Sequence, residues 1–160
     1  MPVVESSVVV DLDPATAFAV SQTTGDVRLR WDPFIRRQRF LDGATTPAKG
    51  VRTMTRHRSG LRMVSEYVSY NPPRNVGMKM VTGPWFFARL GGGWRFEAAD
   101  GGRTRAIWRY NFSCRPAWLA PLAERVGAWV LQGDIDKRIA GFAAGCADPV
   151  VVAAAATTTP

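Results

Sequence analysis

Apolar and polar residues alternate with a period of two along most of the chain, and near the C-terminus the period lengthens to that of a helix. Val3–Val10 is a valine-rich alternating run and predicts a strand. In "DLDPATAFAVS", Asp13 suits an N-cap with Pro14 at the first helical position, so a short helix is expected to about Ser21. "TTGDVRLRWDP" reads as a second short helix, closed before Pro33 because the residue ahead of a proline resists the helical region. Six further strands are predicted at 34–41, 51–57, 61–70, 76–81, 86–97 and 103–113, separated by "DGATTPAKG", "RSG", "NPPRN" and "ADGG". Pro116 is expected to begin a long helix reaching about Ala147. Residues 148–160, with the tail "VVAAAATTTP", are expected to be flexible. The loops between strands are too short for crossovers, so the sheet must be antiparallel. Helices set apart from such a sheet make an α+β domain.

Alternation also assigns faces. Ala106, Trp108, Tyr110 and Phe112 share one side of the last strand, and Arg103, Arg105, Arg109 and Asn111 share the other. The loop "RSG" suits a type I turn followed by a left-handed glycine, which sets Thr55 opposite Met63 and Thr53 opposite Ser65. Val51, Thr53, Thr55, His57, Leu61, Met63, Ser65 and Tyr67 then point inward. Trp94, Phe96, Met78 and Met80 join the same wall, and the glycine triplet at 91–93 lets the strand carrying it bend. The hydroxyls of Thr53, Thr55, Ser65 and Ser69 lie among these rings and thioethers. Such a mixture fits a ligand cavity, and it fits plain core packing as well. The long helix carries two apolar stripes. Leu119, Leu122, Val126, Trp129 and Gly133 fall on one side, and Ala128, Leu131, Ile135, Ile139, Phe142 and Cys146 nearly opposite. Packing on one sheet needs one stripe. The first half, with Val126 and Trp129, is thus free to face a loop, a pocket mouth or a subunit partner, unless a kink at Gly133 explains the change.

The 160 residues favour a single domain. The formal net charge is +8, made of 18 arginines and 3 lysines against 13 acidic residues. These arginines are scattered at alternating positions instead of gathered in a tract, which argues against specific nucleic-acid binding. No run is long and apolar enough for a spanning helix, so no membrane insertion is expected. "MPVVESSVVVDLD" lacks the basic start of an export signal, and a cytoplasmic location is expected. Cys114 and Cys146 are expected to be reduced thiols. One histidine and two distant cysteines offer no metal-ligand spacing, so no metal is expected. No phosphate loop or dinucleotide fingerprint is present, so no cofactor is implied.

The order of elements, "RWDPF" after two short helices, "TGPWFF", and "TRAIWRYNFSCRPAW" running into the long helix resemble the START-like, or SRPBCC, superfamily of polyketide cyclase/dehydrase and lipid-transport-like proteins. The resemblance spans about residues 3–147. It implies a helix-grip fold: a curved seven-stranded antiparallel sheet wrapped around a long C-terminal helix, with two short helices after strand 1. It implies one ligand-binding domain over 1–147, with a hydrophobic small molecule held between sheet and helix. Within the superfamily the second half looks most like the aromatase/cyclases. Gly83, Pro84, Trp85, Trp94 and Trp108 match their motifs, Trp31 matches their helix-to-strand tryptophan with Phe34 close by, and Tyr67 and Ser69 fall on pocket-lining positions. Asn71 stands where those enzymes carry an arginine, and Arg36 and Arg37 where they carry a tyrosine.

The candidate ligand wall is therefore Trp31, Phe34, Met63, Ser65, Ser69, Met78, Met80, Trp94, Phe96, Trp108 and Phe112, with Val126 and Trp129 from the helix. Aldol cyclisation needs an acid or base and a donor for the developing oxyanion. His57, Tyr67 and Tyr110 are the candidate catalytic trio. His57 also reads as a rim histidine beside Arg56 and Arg58, and each tyrosine as a core ring. Three functions fit: a carrier of a hydrophobic, aromatic or polyketide-like molecule, a cyclase or aromatase using the same cavity, or a chaperone-like interaction module. A monomer or a homodimer is expected.

Overall fold

The computed structural model describes residues 1–158, the side chain of Thr158 excepted. Seven strands run as β1 (Val3–Val10), β2 (Ile35–Phe40), β3 (Arg52–His57), β4 (Arg62–Asn71), β5 (Asn75–Thr82), β6 (Phe87–Ala99) and β7 (Arg103–Cys114). They form one curled antiparallel sheet in the order β1-β7-β6-β5-β4-β3-β2. Two short helices, α1 (Pro14–Ser21) and α2 (Gly25–Trp31), carry the chain from one edge strand to the other. The long helix α3 (Ala120–Ala147) follows β7. This is the helix-grip arrangement that the sequence resemblance implies.

Local chemistry accounts for the element ends. Asp13 Oδ1 accepts from Ala15 N at 3.0 Å and Thr16 N at 3.1 Å, and Pro14 opens α1 where no donor is needed. Gly60, at φ +94°, takes the left-handed place in the β3–β4 turn. The register across that turn pairs Thr55 with Met63 and Thr53 with Ser65, as alternation predicts. Gly93 has no room for a side chain. A Cβ there would lie 2.1 Å from the Val76 carbonyl oxygen, and one at Gly92 would lie 2.5 Å from the Tyr110 ring. The triplet therefore brings β6 close to β5 and leaves space for Tyr110 on the inner face.

The core lies between the inner face and α3. Trp94, Phe96 and Phe142 meet with ring centroids 4.7–6.1 Å apart, and Phe18 joins Phe96 from α1. Leu131, Ile135, Ile139, Phe142 and Cys146 form the buried stripe of α3. The opposite stripe is exposed over Leu122, Val126 and Trp129. α3 runs as one helix through Gly133.

Two element expectations are corrected. The long helix starts at Ala120, not Pro116, after a turn in which Leu119 N donates to Pro116 O at 3.0 Å. Pro121 lacks an N–H and so suits the first helical turn. The tail is also not frayed over residues 149–158. It forms a helix, α4 (Pro149–Thr158), with Val151 and Ala155 buried, because its small apolar side chains reach the α1 side of the core. Residues 159–160 lie outside the described residues. Among the described residues no single helix is both long and apolar enough to cross a membrane; α3 and α4 meet that test of length and composition only as a pair, across an 83° bend.

Candidate functional site

The end of α2 carries the sequence "RWDPF", and its aspartate organises the interior. Asp32 is fully buried. Its Oδ1 accepts from Phe34 N at 3.0 Å. Its Oδ2 accepts from Arg28 Nε at 2.8 Å and from Arg138 Nη2 at 2.9 Å. One carboxylate thus ties α2 to the middle of α3 and holds two guanidinium groups. Arg28 also donates to the carbonyl of Ser21, while Arg138 Nη1 donates to Tyr110 Oη at 3.3 Å. The Arg138 guanidinium lies 4.2 Å from the Trp108 ring centroid and 5.0 Å from that of Phe34. Two glycines make the seam possible. A Cβ at Gly141 would fall 2.3 Å from the Trp31 carbonyl oxygen, and one at Gly145 would fall 2.7 Å from Trp31 Cβ.

Beside this cluster lies a cavity of about 90 Å³. Its wall is formed by residues 21–24 between α1 and α2, the inner faces of β2 to β7, and Arg138. Apolar rings and thioethers dominate it. Arg28, Arg138, Tyr67, Tyr110, Thr55, Ser65 and Gln38 are its convergent polar groups. Of the residues expected in the wall, Phe34, Met63, Ser65, Met78, Met80, Trp94 and Trp108 line the cavity, and so do Tyr67 and Tyr110.

The other expected positions lie elsewhere. Trp31 is buried between Phe142 and the glycines of α3, and its Nε1 donates to Thr23 Oγ1 at 2.9 Å. Phe96 and Phe112 are packed into the core away from the cavity, Phe112 against Phe87 and Gly127. Ser69 accepts from Asn75 Nδ2 at 3.3 Å near the β4–β5 turn. Val126 and Trp129 face solvent, Trp129 at 79% exposure, because the first half of α3 extends beyond the sheet-facing stripe. His57 is separated from the cavity by Phe34, whose ring centroid is 4.4 Å away. Its Nδ1 meets Ser59 Oγ at 2.7 Å and its Nε2 lies 3.9 Å from Asp134. His57 thus points inward on the face of Thr53 and Thr55, towards α3, but at the rim of the sheet and not in the cavity wall.

Sequence reasoning missed Arg28, Asp32 and Arg138. A signal was present. Arg138 falls between Ile135 and Phe142 at helical spacing, on the buried stripe, where a charge needs a partner.

Burial and charge set the protonation of these groups. Burial pushes Tyr67 up to about 12, against the opposing pull of Arg28. Burial likewise raises Tyr110, which Arg138 opposes. Both tyrosines are therefore neutral donors at neutral pH. Burial would raise the Asp32 carboxyl, but Arg138 and Arg28 outweigh it and hold it below its ordinary value. Burial works against the charge of Arg138, yet Asp32 and Tyr110 more than offset that. Burial pulls Arg28 below its ordinary value despite Asp32.

A family model described as polyketide cyclase/dehydrase and lipid transport matches residues 1–146. The chain belongs to this family. Solved structures share its fold at low identity. The Zhui aromatase/cyclase from Streptomyces sp. R1128 superposes with a TM-score of 0.76 at 16% identity, over 93% of this chain and 95% of that one. A START superfamily protein from Mycobacterium smegmatis gives 0.66 at 10% identity, over 86% and 94%. The di-domain aromatase/cyclase BexL from the BE-7585A biosynthetic pathway gives 0.68 at 11% identity, over 89% of this chain and 45% of that one. None of the curated proteins matches the sequence.

Proposed function

We propose that the protein binds a hydrophobic, aromatic or polyketide-like small molecule in the cavity between the sheet and α3. The observation that carries this reading is a void walled by Trp94, Trp108, Tyr67 and Tyr110, in a member of a polyketide cyclase/dehydrase and lipid-transport family. Drug-sized ligands usually occupy about 300–1,000 Å³. At about 90 Å³ the void is smaller than that, so a ligand must displace wall. Met63, Met78 and Met80 are half-buried and line it. Unbranched thioethers rearrange at low cost, so the methionines are the part that yields. A ligand of one or two rings suits this space better than a long extended chain.

Binding is better supported than catalysis. The cavity tyrosines are neutral donors, suited to a ligand carbonyl and unsuited to removing a proton. His57 lies outside the wall. A cyclase or aromatase in this cavity would have to work by holding and orienting a chain, with Tyr67 and Tyr110 as donors to a developing oxyanion.

The test is quenching of tryptophan fluorescence by 2-naphthamide, a neutral two-ring probe. Saturable quenching is expected in the wild type and its loss in Ser65→Phe, which fills the void. Equal quenching in both would refute the cavity as the site. Native mass spectrometry of protein from its own host would identify the resident molecule.

A second reading, an interaction module, is favoured by one observation. Leu122, Val126 and Trp129 form an exposed apolar stripe on α3. It predicts partner capture that survives Ser65→Phe and is lost in Trp129→Lys.

A further inference from the structure

The buried cluster beside the cavity is unbalanced in charge. Arg28 and Arg138 contribute two positive charges and Asp32 one negative charge, and all three are almost fully buried. Asp134, one turn before Arg138 on α3, is turned towards His57 at 3.9 Å. Glu66 pairs with Lys79 at 3.0 Å and Arg52 at 3.4 Å. Tyr67 and Tyr110, the other titratable groups of the wall, are neutral at neutral pH. One positive charge in the interior therefore has no anion among the described residues.

The donors point the same way. Arg138 Nε is buried and has no acceptor among the described residues, and the same holds for Trp94 Nε1; both residues line the cavity. Tyr110 Oη accepts from Arg138, which leaves its own O–H proton available. A buried donor without an acceptor is costly, and a buried unpaired cation more so. Rings surround these donors, with Trp108 and Phe34 against the guanidinium.

We infer that the cavity selects aromatic ligands bearing a carboxylate, with the anionic oxygen accepting from Arg138 and Tyr110. The carboxylate supplies the missing charge and an acceptor for donors that otherwise have none. The ring occupies the apolar wall. This inference rests on the cavity being a ligand site, as proposed above, and adds the charge of its ligand.

The experiment compares 2-naphthoate with 2-naphthamide at neutral pH, by quenching and by calorimetry. The two differ in charge and hardly in shape. The carboxylate is expected to bind at least ~10-fold more tightly, the order set by a hydrogen bond to a charged group. That preference should vanish in Arg138→Gln and should weaken in Tyr110→Phe. Tyr110→Phe keeps the buried ring and every charge, so it decides the matter even where Arg138→Gln does not fold. Equal affinity for acid and amide in the wild type overturns the inference and leaves the cavity reading standing. An undiminished preference in Tyr110→Phe overturns it too, as does one that persists in folded Arg138→Gln, which moves the carboxylate to an arginine elsewhere. Absence of saturable binding by either probe overturns both.

Discussion

Gly93 and Gly133 are both glycines inside regular elements, and they make opposite demands on a methyl group. At Gly93 the added carbon would lie 2.1 Å from the backbone oxygen of Val76, which β5 cannot withdraw without breaking its pairing with β6. Gly93→Ala is expected to cost at least ~2 kcal/mol, the range of overpacked interiors. At Gly133 nothing lies within 4 Å of the added carbon, and the position is mid-helix. Gly133→Ala is expected to stabilise by about 0.5–1 kcal/mol. Urea denaturation of both variants checks the sign. Tyr67 makes a prediction about pH. Its folded value is raised to about 12 from an ordinary 10. A raised value favours the folded state fully below pH 10, and the benefit is lost as pH rises towards 12. The wild type should lose stability over that interval, and Tyr67→Phe should lose less. Cys146, raised by burial to about 12 from 9, gives the same sign and remains in the variant.

The seam between α2 and α3 depends on Asp32 and on the two glycines facing Trp31. Its aspartate value is lowered, so the sign is the reverse of that for tyrosine. The stabilisation is complete above the ordinary aspartate range of about 3.9 and fades as pH falls through the lower folded value. Asp32→Asn leaves two buried guanidinium groups without a counter-charge. It should cost about 3–5 kcal/mol at neutral pH and flatten the acid limb, as measured by unfolding at several pH values. Gly141→Val should also destabilise, through separation of the helices. Half of this site can be read from the chain and half cannot, for a physical reason. A strand has a period of two, so one correct register places Met63, Ser65, Tyr67, Trp94, Trp108 and Tyr110 on the inner wall together. The "RSG" turn supplies it for β3 and β4, and the "ADGG" hairpin for β6 and β7. Arg28 and Asp32 are four residues apart on a helix, and the same spacing marks a surface ion pair. Only their burial against Arg138, more than a hundred residues on, separates the two cases. Phe96 and Phe112 lie on the inner face and still miss the cavity, because alternation assigns a face and says nothing of position along it. The α4 helix escapes the sequence because "VVAAAATTTP" is small and unpatterned, and its order comes from contact with the α1 side.

The exposed side of α3 belongs to neither the sheet nor the cavity. Trp118 and Trp129 are 81% and 79% exposed, and Leu122 and Val126 share the face of Trp129 at helical spacing. Trp85, in the β5–β6 loop, is exposed at 74%. That loop lies beside the turn leading to α3, since Arg115 N donates to Phe86 O at 2.9 Å. Scattered surface apolar residues are ordinary, but Leu122, Val126 and Trp129 aligned on one helix face form a patch of the kind used for contact. Such a patch contributes little to folding, because its rings are in water in the folded and unfolded states alike. Trp129→Lys should therefore leave the melting temperature close to that of the wild type. It should lower retention on a hydrophobic-interaction column at the same time. Trp94→Lys is the contrast: its ring is buried against Trp108 and Phe142, and the same exchange should prevent folding. A fall in melting temperature for Trp129→Lys comparable to that of a core truncation, about 3–5 kcal/mol, would show that the stripe is part of the fold. An unchanged melt with unchanged retention would show that these rings do not act together as a surface.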